Sequence, residues 1–406
     1  MSELYNLPDG WKWKTFDEVS TFIRGITFKP NQKFEEPDEN TIFCFRTTNI
    51  QSELDDSDLL NIDSTLVKSD EKIIINGDIL ISSANSLELL GKCCLIKNIN
   101  YKATLGGFIV CGRANKKILE TKYYYYFFSS ETNQNKMRNL ANKTTGIANL
   151  PIKKVEKEYI PIPPLSEQQR IVSKLDLLFE KIDKSIALHQ KNMDEANAFM
   201  GSVLNDVFGE LEEKYLKIPF FDIADVNRGK SKHRPRNDKK LFGGSYPFIQ
   251  TGDVRNANKY IDTFTETYSE FGLSQSRLWG KGTICMTIAA NIGDVAILGI
   301  DSCFPDSVVG IYSENNSNDF IYYFLLTLKQ QLESEATTTA QMNINLKVLQ
   351  TIDVPLPPLN IQQKIVKYLD EISQKIEKIK QAQKAKMNSL KALKASILDQ
   401  AFKGEL

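Results

Sequence analysis

Two stretches of the chain repeat one another and decide its predicted fold. They read IPIPPLSEQQRIVSKLD at Ile160–Asp176 and VPLPPLNIQQKIVKYLD at Val354–Asp370. The prolines, the leucine after them, the Gln-Gln pair and the closing Leu-Asp recur at a constant offset of 194 residues. Proline keeps the backbone extended and prevents an earlier helix start. Each stretch therefore predicts an extended segment that leads directly into a helix.

Both predicted helices begin with a capping pattern and continue as one apolar stripe. Ser166 with Gln169 predicts a capping box, and Asn360 with Gln363 offers the same arrangement in the second copy. Apolar residues then recur at spacings that alternate between four and three, which is typical of a coiled-coil seam. The seam positions are Ile171, Leu175, Leu178, Ile182, Ile186, His189, Met193 and Ala196 in the first copy, and Ile365, Leu369, Ile372, Ile376, Ile379, Gln383, Lys386, Leu390, Leu393 and Ile397 in the second.

The repeat predicts a tandem duplication with four segments. Residues 1–164 and 212–358 are predicted to be mixed α/β domains, and residues 165–211 and 359–406 to be long helices. Because the link after the first helix is short, the second domain must begin at that helix's far end. Antiparallel pairing of the two helices, with an approximate twofold axis, is then the simplest solution. Two amphipathic helices that lie on separate domain cores remain the alternative.

Composition restricts the class of protein. The chain has 51 basic and 51 acidic residues, which counts against a general nucleic-acid binder. Asn227–Lys240, however, reads NRGKSKHRPRNDKK and is strongly basic. Such a cluster can bind phosphates, although a solvated loop is the alternative. His233, within this loop, is interpreted as a phosphate contact rather than a catalytic base.

Several classes of site and location are disfavoured. The six cysteines form no C-x-x-C pair and there are only two histidines, so buried reduced thiols are expected rather than a zinc site. No apolar run is long enough to span a membrane, and the N-terminus has no apolar signal core. We therefore expect a cytoplasmic protein. The absence of a phosphate loop and of a Rossmann glycine fingerprint favours a binding protein over an enzyme.

Polar groups that suit DNA recur at matching places in the two halves. Arg, Asn, Gln and Thr suit base edges, while Lys and Ser suit phosphates. The first half supplies the candidate contacts Arg24, Lys29, Lys33, Arg46, Thr48, Asn49, Ser82, Ser83, Asn85, Lys143, Thr144 and Thr145. The second half supplies Arg228, Lys230, Lys232, Arg234, Arg236, Thr251, Asp253, Thr287, Asn291, Thr338, Thr339 and Gln341. Two similar but diverged readers on a rigid spacer predict an asymmetric, bipartite DNA target whose gap is set by the spacer.

Five landmarks resemble the specificity subunits of type I restriction–modification systems. They are LPDGWKW (7–13), FIRGITF (22–28), TTGIANLPI (144–152), the twice-used P-x-P-P-L-x-x-Q-Q and the closing FKGEL (402–406). The resemblance covers essentially the whole chain. It implies an α+β fold in which two target-recognition domains are separated by a long antiparallel two-helix coiled coil, with an internal pseudo-twofold repeat.

The resemblance also implies partners and a division of labour. Methyl transfer to adenine, ATP-driven translocation and cleavage are expected in separate modification and restriction subunits. No cofactor is then expected in this chain, and S-adenosylmethionine, ATP and Mg²⁺ would bind to the partner subunits. The expected partners are double-stranded DNA, two modification subunits and restriction subunits, without a membrane.

The repeated helix starts offer two similar docking surfaces for the modification subunits. Their exposed residues Glu167, Arg170, Lys364 and Lys367 are candidate contacts, with ordinary helix solvation as the alternative. Two other functions stay open: a coiled-coil scaffold that binds proteins only, and a self-sufficient enzyme that cleaves or modifies DNA. Salt-dependent DNA binding with half-site preference would distinguish a DNA reader from the scaffold.

Overall fold

The chain divides into two compact units, each with part of both long helices. The computed structural model describes residues 4–143, 146–289, 292–329, 331–332 and 346–406. Unit 1 comprises residues 1–189 and 385–406, and unit 2 comprises residues 190–384. The predicted division treated the helices as separate segments, whereas their contacts assign one part of each helix to each unit.

Unit 1 is a mixed α/β unit. Its strands are β1 (Lys12–Thr15), β2 (Ser20–Arg24), β3 (Lys33–Phe34), β4 (Thr41–Phe45), β5 (Leu60–Asp63), β6 (Ile79–Ser82), β7 (Ala84–Asn85), β8 (Cys93–Leu95), β9 (Ala103–Leu105), β10 (Ile109–Ala114), β11 (Asn142–Lys143), β12 (Ala148–Asn149) and β13 (Tyr159–Ile162). Its helices are α1 (Phe16–Val19), α2 (Thr121–Ser129), α3 (Glu131–Leu140), α4 (Ile152–Val155) and the first part of α5 (Leu165–Lys214). Short 3-10 helices lie at Pro30–Gln32, Thr47–Asn49, Ser64–Leu66, Asp70–Lys72 and Leu87–Leu89.

Unit 2 is likewise a mixed α/β unit. Its strands are β14 (Lys217–Pro219), β15 (Asp225–Arg228), β16 (Phe242–Phe248), β17 (Tyr260–Ile261), β18 (Glu266–Tyr268), β19 (Leu278–Trp279), β20 (Ile284–Thr287), β21 (Val295–Leu298), β22 (Ser302–Cys303), β23 (Val308–Tyr312) and β24 (Asp353–Pro355). Its helices are α6 (Phe220–Ile223), α7 (Thr251–Asn256), α8 (Glu270–Ser274), α9 (Asn318–Thr327), α10 (Leu346–Gln350) and the first part of α11 (Leu359–Lys403), with a 3-10 helix at Lys239–Leu241.

The sheets of the two units share most of their strands, and the main sheet of unit 2 has one additional edge strand, β17. The main sheet has the order β2-β10-β6-β8 in unit 1 and β15-β23-β20-β21-β17 in unit 2. A second sheet has the order β3-β5-β4-β9 in unit 1 and β18-β16-β22-β19 in unit 2. In both second sheets one pair is parallel, β4 with β9 and β16 with β22. This shared topology confirms the predicted duplication, including the front halves whose sequences have diverged.

The recurring Arg-Gly pair marks a close backbone approach at the end of β2 and of β15. The N–H of Gly25 donates to the carbonyl oxygen of Ile109, and the N–H of Gly229 donates to that of Val308. A Cβ at Gly229 would lie less than 3.0 Å from the carbonyl oxygen of Pro305, and one at Gly25 would meet the backbone of residue 106 just as closely. Only glycine fits at these positions without a shift of the backbone.

The starts of the long helices differ from the predicted capping box. Helix α5 begins at Leu165, so Ser166 lies inside its first turn, and the N–H groups of Glu167 and Gln168 donate to the carbonyl oxygen of Pro164 (2.9 and 3.0 Å). Helix α11 begins at Leu359, so Asn360 likewise lies inside the first turn. The predicted Ser166 and Asn360 caps are therefore wrong, because the carbonyl oxygens of Pro164 and Pro358 accept the first hydrogen bonds of the two helices.

The first glutamine of each Gln-Gln pair is buried, and its hydrogen bonds fix the start of the long helix to another segment of its unit. We call this arrangement the buried lock. Gln168 has no exposed surface. Its Oε1 accepts a hydrogen bond from the N–H of Glu120 (2.8 Å), and its Nε2 donates to the carbonyl oxygens of Ile118 and Pro163 (both 2.9 Å). These bonds tie the start of α5 to the segment that enters α2.

Gln362 repeats this arrangement in unit 2. Its Oε1 accepts from the N–H of Ser317 (2.9 Å), and its Nε2 donates to the carbonyl oxygen of Pro357 and to Oδ1 of Asn316 (2.9 and 3.1 Å). The segment that enters α9 is thereby tied to the start of α11. The Gln-Gln pair recurs because the same lock is built twice.

The closing aspartate of each stretch makes a second repeated contact. Asp176 accepts hydrogen bonds from Lys122 Nζ (2.6 Å) and the Tyr126 hydroxyl (2.5 Å). Asp370 accepts from Lys259 Nζ (2.6 Å) and the Tyr323 hydroxyl (2.5 Å). The tyrosines occupy matching places in α2 and α9, whereas the lysines come from different parts of the chain.

Four of the six residues in the aromatic run at residues 123–128 are buried. Tyr123, Tyr124, Phe127 and Phe128 of α2 all lie in the core of unit 1. The ring of Phe402, from α11, packs edge to face on Tyr123 and Phe127, with centroids 5.3 and 5.0 Å apart. The final turns of α11 therefore complete the core that the first part of the chain begins.

Within unit 1 the two long helices run antiparallel, as predicted. Arg170 Nη2 donates to the carbonyl oxygen of Leu406 (2.8 Å), and Lys394 Nζ binds the carboxylate of Asp183 (2.8 Å). Residue numbers that increase along α5 thus lie opposite residue numbers that decrease along α11. In unit 2, Phe208 of α5 and Leu369 of α11 belong to one buried cluster. The predicted rod with a domain at each end stays a prediction.

The predicted seam is only partly correct. The first copy follows it near its start, where Ile171, Leu175 and Ile182 are buried. In the second copy Ile379 and Leu393 are each 48% exposed, and Lys386 is exposed as well. Near its end α11 packs on α2 as well as on α5, so its buried face is wider than a coiled-coil seam and includes residues outside the predicted set. These are Leu398, Ala401 and Phe402.

All six cysteines are buried free thiols, as predicted. None of the helices in the described part of the chain combines the length and the apolar character that a bilayer-spanning segment requires.

Candidate nucleic-acid interface

Each unit contains a groove that is built from the same three segments. They are the loop after β2 or β15, the residues that follow β4 or β16, and the loop that precedes β10 or β23. Groove 1, in unit 1, has a volume of about 430 Å³ and is lined by Lys33, Arg46 and Phe108, among others. Groove 2, in unit 2, has a volume of about 730 Å³ and is lined by Arg236 and Gln250, among others.

Groove 1 presents a guanidinium held by a carboxylate. Arg46 precedes the 3-10 helix Thr47–Asn49, and its Nη2 donates to the backbone and carboxylate oxygens of Asp58. Arg46 Nε is buried and has no hydrogen-bond partner among the described residues. The ammonium of Lys33 lies 5.6 Å from the ring centroid of Phe28, and Phe108 is 65% exposed. This groove therefore offers cations, unused donors and an exposed aromatic face.

Groove 2 presents an amide at the matching position. Gln250 precedes α7, and its Nε2 donates to Glu266 Oε2 (2.6 Å). Arg236 Nη2 donates to Asp306 Oδ2 (2.9 Å). The rings of Phe248 and Tyr268 stack with centroids 3.9 Å apart and form a flat apolar wall, where burial raises the pKa of the Tyr268 hydroxyl.

The basic cluster 227–240 is a braced loop beside groove 2. Arg234 Nη1 donates to the carbonyl oxygens of Ser231 and His233 (2.6 and 2.9 Å). His233 Nε2 lies 2.9 Å from Asp238 Oδ2. The Lys240 N–H and then His233 hold the pKa of Asp238 below its ordinary value. His233, expected at a phosphate, is thus already bonded to Asp238, and the loop is preshaped before any ligand binds.

Most of the predicted contact residues lie at the surface. The exposed ones are Arg24, Lys29, Lys33, Thr48, Lys143, Arg228, Lys230, Lys232, Arg234 and Arg236, and the half-buried ones are Arg46, Ser83, Asn85, Thr251 and Asp253. The structure brings Lys33, Arg46 and Thr48 together in groove 1 and places Arg236 in groove 2. Thr144, Thr145, Asn291, Thr338, Thr339 and Gln341 lie outside the described residues.

Two of the half-buried residues adjoin groove 1 through a small sheet. Strand β12 pairs with both β11 and β7, so Ala148 lies between Lys143 and Asn85 in this sheet. The N–H of Ser83 donates to the carbonyl oxygen of Phe108 (2.9 Å), which lines groove 1. In unit 2 the N–H of Ile288 donates in the same way to Ser307, which lines groove 2.

Three predicted contacts are wrong because their side chains are buried and bonded internally. Asn49 accepts from the N–H of Arg46 (2.7 Å) and donates to the carbonyl oxygens of Asp55 and Asp58. The Ser82 hydroxyl accepts from Asn85, and the Thr287 hydroxyl bonds to the backbone of Asp294. These groups shape the loops that carry the grooves and are not accessible to DNA.

Asp253 in unit 2, like Asn49 in unit 1, accepts a hydrogen bond from the backbone N–H three residues before it. Its Oδ2 accepts from the N–H of Gln250 (2.8 Å), so its carboxylate is used to close the turn. Both residues thus fix the conformation of the residue that faces the groove. In the repeat Gln250 is the counterpart of Arg46, at the same offset that relates the two Arg-Gly pairs. Nothing in the sequence linked either residue to its carboxylate partner, which comes from a separate part of the chain.

Comparison with known proteins agrees with these shared features. Residues 8–196 and 215–388 match the family described as the type I restriction modification DNA specificity domain. The chain belongs to this family. Each of the two matched regions contains one groove.

Relatives and a solved structure match over nearly the full chain. The EcoKI specificity subunit of Escherichia coli K12 is 25% identical, over 98% of this chain and 90% of that protein. The putative MjaX specificity subunit of Methanocaldococcus jannaschii is 26% identical, over 96% of this chain and 93% of that protein. A solved structure from a study of complex assembly in the type I R-M system has a TM-score of 0.72 at 22% identity, and the match covers 99% of this chain and 100% of that chain. This likeness shows the fold.

The candidate docking residues differ in whether they already have an ionic partner within the chain. Arg170 Nε and Nη2 bind the carboxylate of Glu167 (both 2.8 Å), which lowers the pKa of that carboxyl. Lys364 and Lys367 are exposed and have no ionic partner in the part of the chain that the structure describes. The second helix start thus offers free charges, whereas the first offers a preformed ion pair.

Proposed function

We propose that this specificity-family chain reads DNA without catalysing a reaction, and that groove 1 and groove 2 each read one half of an asymmetric bipartite target. The observation that carries the proposal is that the same three segments build a groove in each unit. Each groove combines a cation with a side chain that suits a base edge. Because Arg46 stands where Gln250 stands in the other unit, the two half-sites should differ in sequence.

The two long helices are proposed to set the gap between the half-sites. Helix α5 continues without interruption for 50 residues from unit 1 into unit 2, and α11 continues for 45 residues. A helix advances about 1.5 Å per residue, so its residue count fixes a length. The number of unread base pairs would then be a property of helix length.

Partner subunits are proposed to supply the chemistry. Two modification subunits and restriction subunits would bind S-adenosylmethionine, ATP and Mg²⁺ and act on DNA in the cytoplasm. The proposal is supported by the relatives, which are named specificity subunits, and by the solved structure from a type I R-M system. Lys364 and Lys367 are favoured as docking contacts over Glu167 and Arg170, because their charges have no partner in the described structure.

Deleting one heptad from each helix tests the reader and the spacer together. Removal of residues 186–192 and 384–390 takes out segments that are opposite one another in the register set by the Arg170–Leu406 and Asp183–Lys394 contacts. Seven residues correspond to about 10 Å, or about three base pairs at about 3.4 Å per step. The complex assembled with its modification subunits should then methylate adenines in the same half-sites at a changed spacing.

The outcomes separate the candidate functions. A matched insertion of seven residues in both helices should change the gap in the opposite direction, while a deletion in one helix alone should abolish activity by breaking the register. An unchanged gap would refute the spacer. A chain with no salt-dependent DNA binding would instead be a protein scaffold, and methylation without the modification subunits would show a self-sufficient enzyme.

A further inference from the structure

In each unit, one residue after an inner strand of the second sheet lines the groove. Its side chain is a guanidinium in unit 1 and an amide in unit 2, so the two residues offer different hydrogen-bonding groups. Arg46 directly follows β4, and Gln250 lies two residues after the end of β16. In both cases the backbone N–H of this residue donates to a side-chain oxygen three residues later, on Asn49 or on Asp253. The two side chains are therefore held on equivalent, braced positions.

Each of these side chains is oriented by a carboxylate. Asp58 holds Nη2 of Arg46, and Glu266 holds Nε2 of Gln250 at 2.6 Å. A carboxylate repels phosphate, so a donor that already faces one is poorly suited to the DNA backbone. The flanking lysines, Lys33 in groove 1 and Lys239 in groove 2, have no carboxylate partner among the described residues and are better suited to phosphates.

The described residues leave the amide of Gln250 one free hydrogen-bond donor beside one free acceptor. A glutamine amide has two N–H donors and one carbonyl acceptor. Glu266 accepts from Nε2, which still has a second hydrogen, and the described residues make no hydrogen bond to Oε1. One donor beside one acceptor is the pattern that pairs with N7 and the 6-amino group of adenine in the major groove.

The guanidinium of Arg46 has donors left free by the described residues, but no acceptor. It has five N–H donors and no acceptor. Both of its bonds to Asp58 come from Nη2 and its Nε is buried, so the two N–H groups of Nη1 remain to bind a ligand. A pair of donors matches O6 and N7 of guanine, which adenine cannot satisfy because its 6-amino group is itself a donor. The same position in the repeat therefore has opposite preferences in the two units.

We propose that Arg46 selects guanine at one position of the half-site read by unit 1, and that Gln250 selects adenine at the corresponding position of the half-site read by unit 2. This inference rests on the proposed DNA-reading function and adds to it the identity of one base in each half-site. Asp58 and Glu266 orient the two reading groups.

Reciprocal substitution tests the assignment. The full chain, assembled with the modification subunits of its own system, is used to select binding sites from a pool of randomised DNA duplexes. Gln250→Arg should change one position of one half-site from adenine to guanine, by about 5- to 150-fold in relative affinity, and should leave the other half-site unchanged. Arg46→Gln should produce the reverse change in the other half-site.

Gln381→Arg is the matched control. Gln381 is an exposed glutamine whose Nε2 also donates to a glutamate, Glu377 Oε1 at 3.2 Å, but it lies on α11 and lines neither groove. Its substitution adds the same charge and removes the same type of amide. Both half-sites should remain as in the unaltered protein.

The possible results are separable from those that test the proposed function. Gln250→Arg protein that binds with its original preference at every position overturns the inference and leaves the DNA-reading function intact. An unaltered complex that binds without any base preference overturns both. If the arginine variant does not fold, Gln250→Ala should lose discrimination at that one position, and full retention of discrimination would overturn the inference.

Discussion

Replacing Gln168 by leucine tests the buried lock at the start of α5. The substitution would leave the Glu120 N–H and the carbonyl oxygens of Ile118 and Pro163 without their partner, around a side chain that is itself fully buried. A hydrogen bond within a protein contributes about 1 kcal/mol net, so the loss of three is expected to cost about 3 kcal/mol. The stranded buried groups act in the same direction.

The expected change is measurable by calorimetry. For a unit of this size, 1 kcal/mol corresponds to about 2–4 °C in Tm, so the transition of unit 1 should fall by about 6–12 °C. Gln362→Leu should have an effect of similar size on unit 2, since Gln362 also makes three internal hydrogen bonds. The two variants should therefore lower different transitions.

Gln169→Leu is the control, because Gln169 is the adjacent glutamine and is exposed. Surface substitutions usually change stability by less than about 0.5 kcal/mol. If Gln169→Leu lowered the Tm as much as Gln168→Leu, the buried-lock explanation would be refuted and the capping box expected from the sequence would be favoured. An unchanged Tm for Gln168→Leu would refute it equally.

Three further predictions concern the backbone, the interface and the thiols. Gly229→Ala should lower the Tm, because its Cβ would meet the Pro305 carbonyl oxygen, whereas Gly252→Ala, with no atom within 4 Å, should not; equal Tm values would disprove the close approach. Arg236→Ala should weaken DNA binding and reduce the magnitude of the slope of log Kobs against log salt by about 0.9, and an unaltered slope would place this residue outside the interface. Burial raises the pKa of Cys44 to about 12 from 9.0, so this thiol ionises first in the unfolded chain, and the free energy of unfolding should fall between about pH 9 and 12. Urea unfolding should show a smaller fall for Cys44→Ala, and an identical fall would contradict this assignment.

The helices were predictable because their signals are local. Prolines and an apolar stripe act on neighbouring residues, so the starts of α5 and α11 were found within about a residue. The cap was mispredicted because the group that matters, Gln168, is defined by Ile118 and Glu120, about 50 residues earlier. No periodicity in the helix itself contains that information.

The candidate interface was predictable where charge alone decides exposure. Arg236 and Lys33 lie at the surface because charged side chains are costly to bury. Asn49 and Thr287 were misassigned because a polar residue at the end of a strand has the same sequence signature whether it faces DNA or bonds its own backbone. Only the folded loops distinguish these two roles.

The aspartate contacts show what duplication preserved and what it did not. Tyr126 and Tyr323 could be matched by counting along the repeat. The lysines could not, because Lys122 lies in α2 whereas Lys259 precedes β17. Both aspartates are half-buried and each has a lysine beside it, but the lysine comes from a different part of the chain in each unit, so a comparison of the repeats does not reveal it.

The packing of Phe402 on Tyr123 and Phe127 has a consequence for biosynthesis. The first segment of unit 1 ends at residue 189, and roughly 200 further residues must leave the ribosome before Phe402 is available. At about 5–20 residues per second this delay is roughly 10–40 s. During this interval the nascent chain holds an unfinished apolar surface, so we expect chaperones to protect it and the earlier part to finish folding last.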